Sequence, residues 1–362
     1  MAVNKNQHFV PRCYLRPFTL GAEGKAINLF NIDLARAIPR APVKGQCSGD
    51  YFYGEGLTLE RLLQRFEGQY ARCLLDISAE GYRLTGVDAT TLRRFWLLQH
   101  LRTEAASRTA VEMFEEMDHD LGGLPLGYKT GIKEAVFSAM RVFFERPDLV
   151  DDLNVRLVRN KSARKFVTSD NPAILTNRWH LSPRTSLSLA PGLLSAGALG
   201  LLPLTPDILL VLFDSDVHYL EHRHGWIDVR REEDVDALNQ HQVLSCDANL
   251  YFQAWDHREE VADLSRRLAS RRPEEHYAIS YAVLDSVNDD GTQVFRTIDK
   301  AAAKNDAAFI HVSRVTPAPL AWPSFLSWRR GGVAYDSGTG AGISRKATRS
   351  PDIAHKKLRL HV

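Results

Sequence analysis

Residues 154–170 read NVRLVRNKSARKFVTSD, and how this stretch is read decides the fold. Before it, apolar residues recur at helical spacing. From Asn154 the pattern becomes strand-like, so NVRLVRN and RKFVTSD on either side of the turn-prone KSA read as a hairpin. The chain then offers short β-rich runs, ILLVLFD, NLYFQAW, YAISYAVL and TQVFRTI, with EEDVDALNQHQVL and HREEVADLSRRLA between them as helices. The expectation for this half, residues 151–322, is a mixed, largely antiparallel sheet with helices laid on it.

Upstream, Leu59, Leu62, Leu63, Phe66, Tyr70, Leu74 and Ile77 step by three and four, which is one face of a long amphipathic helix. A second helix runs from about Asp88 or Thr90 through TLRRFWLLQHLRTEAASRTAVEMFEEM and ends by Gly122 and Gly123. A third, IKEAVFSAMRVFFERP, stops at Pro147. Between residues 25 and 47 a shorter period, punctuated by Pro39 and Pro42, reads as a strand or two and an extended connection. The spacing therefore predicts an α+β protein whose N-terminal helical layer, within residues 1–150, packs on a C-terminal mixed sheet. Residues 323–362 are rich in Gly, Ser, Arg and Lys and read as a flexible basic tail.

Residues 4–19, NKNQHFVPRCYLRPFT, do not resemble an ordinary chain end, because ends usually fray and this one crowds together His8, Phe9, Pro11, Tyr14, Leu15, Pro17 and Phe18. Something must hold it down.

Bulk composition narrows the classes. The 362 residues are 44% apolar, enough for at least one large core, and the length allows two or three domains. Lys and Arg total 46 against 44 acids, so no global field steers the molecule to nucleic acid or an anionic membrane, and any such binding needs a local patch. No apolar leader segment is seen, and the longest apolar run, residues 197–213, is interrupted by Pro203 and Pro206. A soluble cytoplasmic protein without a membrane partner is expected. Cys13, Cys47, Cys73 and Cys246 are scattered, with no CxxC pair, and are read as reduced and mostly packed.

Three motifs recur in a fixed order: QHFVPRCYLRPF with His8, Pro11, Tyr14, Leu15 and Phe18; FVTSDNPAIL with Ser169, Asp170, Asn171 and Pro172; and LPLTPDILLVL with Pro203, Leu204 and Pro206. In this respect the chain resembles the bacterial family known as domain of unknown function 4238, over roughly residues 4 to 260. The resemblance implies a shared fold and carries no reaction with it.

Chemistry has to come from the residues. Asp170 stands where an apolar strand stops, and Asn171 precedes a proline that pushes it toward extended backbone. Strand ends are favoured positions for functional carboxylates, while Ser, Asp and Asn before Pro are also ordinary turn residues. His8 is read either as a packed imidazole or as a general base oriented by Asp170, with Arg12 beside it to stabilise negative charge. On the helices, Glu60 and Glu67 share a face, as do Gln99, Arg102 and Ala106. His218, His222 and His224 lack the HExxH spacing and are read as an exposed loop. Asp214 could join Asp170 on a divalent metal, the one cofactor considered, if strand ends gather at one edge. Dinucleotide, P-loop, nucleophile-elbow and kinase signatures are absent from the sequence.

The expectation is a cleft lined by His8, Arg12, Arg102, Asp170 and Asn171, serving a hydrolase of phosphodiesterase or nuclease type that acts on nucleic acid or nucleotides. The alternative is a non-enzymatic binding or regulatory protein, for example in a bacterial defence or toxin system. A third reading has the basic tail, Arg329 to Arg359, contact nucleic acid directly.

Overall fold

The computed structural model describes residues 5–54, 57–120, 131–182, 191–289, 291, 293–302, 309–338, 342–349 and 354–359. Its α-helices are α1 (Arg12–Leu15), α2 (Leu57–Ile77), α3 (Gly86–Arg102), α4 (Glu104–Asp120), α5 (Ile132–Glu145), α6 (Glu232–Ser245) and α7 (Arg258–Leu268). Among the described residues no helix is long and apolar enough to cross a membrane.

Asn154–Asn160 is a strand, but it makes no hairpin with the residues after it. It pairs antiparallel with Ile208–Phe213 on one side and parallel with Trp226–Val229 on the other. The sheet continues through Leu199–Thr205 to Ile174–Thr176. The turn-prone KSA does turn, since the Asn160 carboxamide accepts from the Ser162 N–H at 2.9 Å. The chain then leaves the sheet, because the N–H groups of Phe166 and Val167 go to the Pro206 carbonyl and to Asn239 of α6. Thr168–Ser169 lands instead beside Asn249–Phe252 in a second, four-stranded sheet completed by Ala26–Asn31 and Arg36–Pro42.

This corrects the expected layering. The molecule is α+β, but its helices lie at 57–145 and again at 232–268, and strands near the chain start pair with one near residue 250. One face of the five-stranded sheet, with Val155, Leu157, Leu202, Leu204, Leu210 and Leu212, packs on α3 through Leu92, Phe95 and Trp96. The other face, with Leu199, Leu201, Leu209 and Val211, packs on α6 through Val235 and Leu238. Strands covered on both faces read as continuous apolar runs rather than alternating ones. Each fully buried Leu or Phe here contributes roughly 1.5–3 kcal/mol. The two faces have to fit closely: a Cβ on Gly200 would lie 2.8 Å from the Trp96 ring. The Trp96 indole N–H in turn donates to the Leu201 carbonyl at 3.2 Å.

The single long second helix of the sequence reading is two. Thr103 is extended, at φ −69° and ψ 155°, between α3 and α4. Its hydroxyl accepts from Ala106 N–H at 3.3 Å, an N-cap in place of continued helix.

The segment after residue 322 is docked in its described parts, not loose. Val333–Asp336 pairs with Ile343–Ser344 and Lys356–Arg359, and Arg345 is buried to 1% exposure against Asp152. Gly and Ser content had suggested flexibility, but one buried ion pair and a sheet fix the course of the chain.

Candidate functional site

The opening segment is held down, as its apolar content requires. Asn6–His8 pairs with Ser48–Asp50, and Phe9, Val10, Tyr14, Leu15 and Phe18 are all buried. Tyr14 hydroxyl and Thr168 hydroxyl lie 2.6 Å apart, joining this segment to the Thr-Ser-Asp-Asn-Pro stretch. Arg102, with no exposed surface, donates to the Phe9 carbonyl at 2.7 Å and to Glu67 of α2 at 2.9 Å. Arg102 thus reaches the residue next to His8, whose pKa is pulled below its ordinary value by burial first and also by the positive charges of Arg12 and Arg102, against a hydrogen bond with the Val43 backbone.

Asp170 and Asn171 belong to another set of partners. The Asp170 carboxylate accepts the backbone N–H groups of Asp247, Ala248 and Asn249, each at 2.8 Å. Burial nevertheless pushes its pKa up to about 6, outweighing those three hydrogen bonds. Asn171 donates to the Ser245 carbonyl at 3.0 Å and accepts from Thr103 at 3.1 Å. Ser169 donates to Gln242, whose amide donates to the Pro172 carbonyl. The stretch is therefore a polar rivet joining the α3–α4 break to α6. A His8–Asp170 hydrogen bond, the core of the expected site, is not formed, because the carboxylate is filled by backbone donors. Cys47 links the two sets: its carbonyl accepts from Phe9 N–H at 2.9 Å, while burial and then the charges of Asp170 and Glu104 push its thiol up.

The metal reading fares similarly. Asp214 accepts from Gly197 N–H at 2.8 Å and Asp216 N–H at 2.9 Å, so it and Asp170 serve separate turns. Among the described residues no cluster of three His, Cys, Asp or Glu could hold a metal ion. His218, read as lying in an exposed loop, is buried against Trp328 with ring centroids 5.2 Å apart, and burial lowers its pKa to about 3. Burial also raises Cys13 to about 12 and lifts Cys73 and Cys246, so these thiols stay protonated near neutral pH.

One feature was missed from sequence, and another, read there as a flexible basic tail, is ordered in its described parts. The first is a cleft of about 110 Å³ where Asn171 meets Ser245 and Asp247, roofed by α4 and by residues near 273–276 and 315–317. Arg108 spans it, donating to Glu104 at 2.7 Å and to both oxygens of Asp247 at 3.1 and 3.2 Å. The Thr103 N-cap fixes where α4 begins and so which side chains face Asn171, and no Gly or Pro announces it in the sequence.

The second is a basic face. Residues 323–362 hold eight Lys and Arg against two Asp, so the rest of the chain is net acidic. Strand register places Lys357 opposite Tyr335 and Arg359 opposite Val333, on one side of the small sheet, while Ala334 packs inward. Arg349 stacks over Tyr335 with its guanidinium 4.3 Å from the ring centroid. Arg329, Arg330, Lys346, Arg349, Lys356, Lys357 and Arg359 are all exposed. Asp336, the described acid of this segment, accepts from Gly338 N–H in its own turn.

Residues 6–256 match the family described as Protein of unknown function (DUF4238). The chain belongs to that family. No curated protein and no solved structure matches it.

Proposed function

We propose that this member of the DUF4238 family is a binding protein that engages the phosphate backbone of nucleic acid through the basic face of its C-terminal sheet. The observation that carries the reading is the set of seven exposed cations in the described part of this segment, with Lys357 opposite Tyr335, Arg359 opposite Val333 and Arg349 over the Tyr335 ring. Among the described residues, none of the seven is held in an ion pair. An array of this kind neutralises phosphates and releases their counterions, which supplies affinity without base recognition. Hydrolysis is not carried into the proposal. Two of the groups expected to perform it are committed elsewhere: Asp170 to three backbone N–H groups, Arg102 to Phe9 and Glu67. The face lies outside the residues that match the family.

The test is fluorescence anisotropy with a labelled DNA duplex across a salt series. Log affinity is expected to fall linearly with log salt, and the triple variant Lys356→Glu, Lys357→Glu, Arg359→Glu should flatten that slope by roughly 3, at ~0.9 per phosphate contact. Unchanged affinity and slope in a variant with wild-type circular dichroism would overturn the reading.

A further inference from the structure

The cleft beside Asn171 lies far from phosphate chemistry in character. Its floor is the C-terminal end of α6, where Leu244, Ser245 and Cys246 present the negative pole of a 14-residue helix. That pole already holds one cation: Arg272 donates to the Val243 carbonyl at 2.8 Å and to the Asp247 carbonyl at 3.2 Å. Asp247 adds a carboxylate, and its two oxygens can accept more than the single Arg108 nitrogen they now share. At the mouth stands Glu112, exposed and, among the described residues, without an ion-pair partner. Apolar Ala173, Leu175 and Val315 also line the cleft, together with His276 and with Arg108, whose charge is taken up by Glu104 and Asp247.

A lining that combines acceptors with hydrocarbon suits a cation on an aliphatic stem, which lays its methylenes on apolar surface and keeps its head on the acids. The size agrees, since about 110 Å³ is well below the ~300–1,000 Å³ of pockets for drug-sized molecules. We propose that this cleft is a binding site for the guanidinium or ammonium group of a small aliphatic base, free or as a basic side chain. Glu112 and Asp247 receive the head group.

Isothermal titration of the full-length chain with L-arginine, L-citrulline and the tripeptide Gly-Arg-Gly tests it. Citrulline has arginine's shape without its charge, so arginine should bind at least tenfold more tightly. Glu112→Gln, a surface change that leaves the fold intact, should weaken arginine about tenfold, the loss of roughly one charge-assisted hydrogen bond, and leave citrulline unchanged. Tighter binding of the tripeptide than of arginine identifies a peptide side chain as the natural occupant; the reverse order identifies a free base. No binding of arginine, equal binding of citrulline, or a Glu112→Gln variant indistinguishable from wild type would each overturn the proposal.

Discussion

Two buried arginines fasten two ends of this molecule, and they do it differently. Arg102 holds the opening segment with one hydrogen bond to Glu67 and one to the Phe9 carbonyl, and its second terminal nitrogen is buried with no partner among the described residues. Arg345 holds the C-terminal sheet with both oxygens of Asp152, at 2.7 and 3.0 Å, and with the carbonyls of Leu149 and Leu193. A planar fork matched to a carboxylate is the stronger arrangement. The lesson is that the segment outside the family match is the one fastened more completely. The opening segment relies mainly on apolar burial, with Tyr14 ringed by Phe18, Tyr70 and Phe95.

Removing one partner of a buried pair is the direct way to break this contrast. Asp152→Ala removes two hydrogen bonds and the counter-charge of Arg345, leaving it only the Leu149 and Leu193 carbonyls, and should cost about 3–5 kcal/mol in urea denaturation. The same variant should also make residues 323–338 sensitive to limited proteolysis. Glu67→Ala should cost less, about 2 kcal/mol, because it removes one hydrogen bond rather than two and leaves the apolar packing of the opening segment untouched. If the two variants cost the same, the difference in geometry carries no energetic weight.

Asp170 sharpens the comparison from a third position. Its folded pKa, about 6, lies above the ordinary carboxylate value of 3.8, so the folded state binds the proton more readily than the unfolded chain. The stability this contributes is fully present below pH 3.8 and is lost as pH rises through 6. Asp170→Asn should remove that decline, so the stability difference between wild type and variant should vary with pH between about 4 and 6 and stay flat above. At neutral pH the variant should be about 1–2 kcal/mol less stable, since an amide offers one acceptor where three N–H groups converge. A pH-independent difference would show that Asp170 titrates as it does in water.

Much of the element pattern was legible. The helical spacing of Leu63, Tyr70, Leu74 and Ile77 corresponds to a buried face of α2, and the runs at 208–214 and 249–255 contain strands. The pairing was not legible. NVRLVRN next to a turn looks like half of a hairpin, and only the partners of Phe166 and Val167, forty and seventy residues away, decide otherwise. The break at Thr103 was hidden for a related reason: no Gly or Pro marks it, and a tertiary bond to Asn171 stabilises it. Of the expected site, His8 and Arg12 are close in sequence, whereas Arg102 is brought to the opening segment by its hydrogen bond to the Phe9 carbonyl, across 93 residues of chain. That Asp170 would face backbone instead depended on the 247–249 turn, which no local pattern announces.

The pairing of Phe30 with Leu250 has a consequence for how the chain is made. Ribosomes add about 5–20 residues per second, so the strand near residue 30 waits on the order of ten to forty seconds for its neighbour to emerge. Once α2 and α3 have emerged, the aromatic cluster around Tyr14 has its helices, while the strand at Ala26–Asn31 still lacks its partner Asn249–Phe252. A nascent chain of this design offers an apolar flank to chaperones until translation passes residue 252.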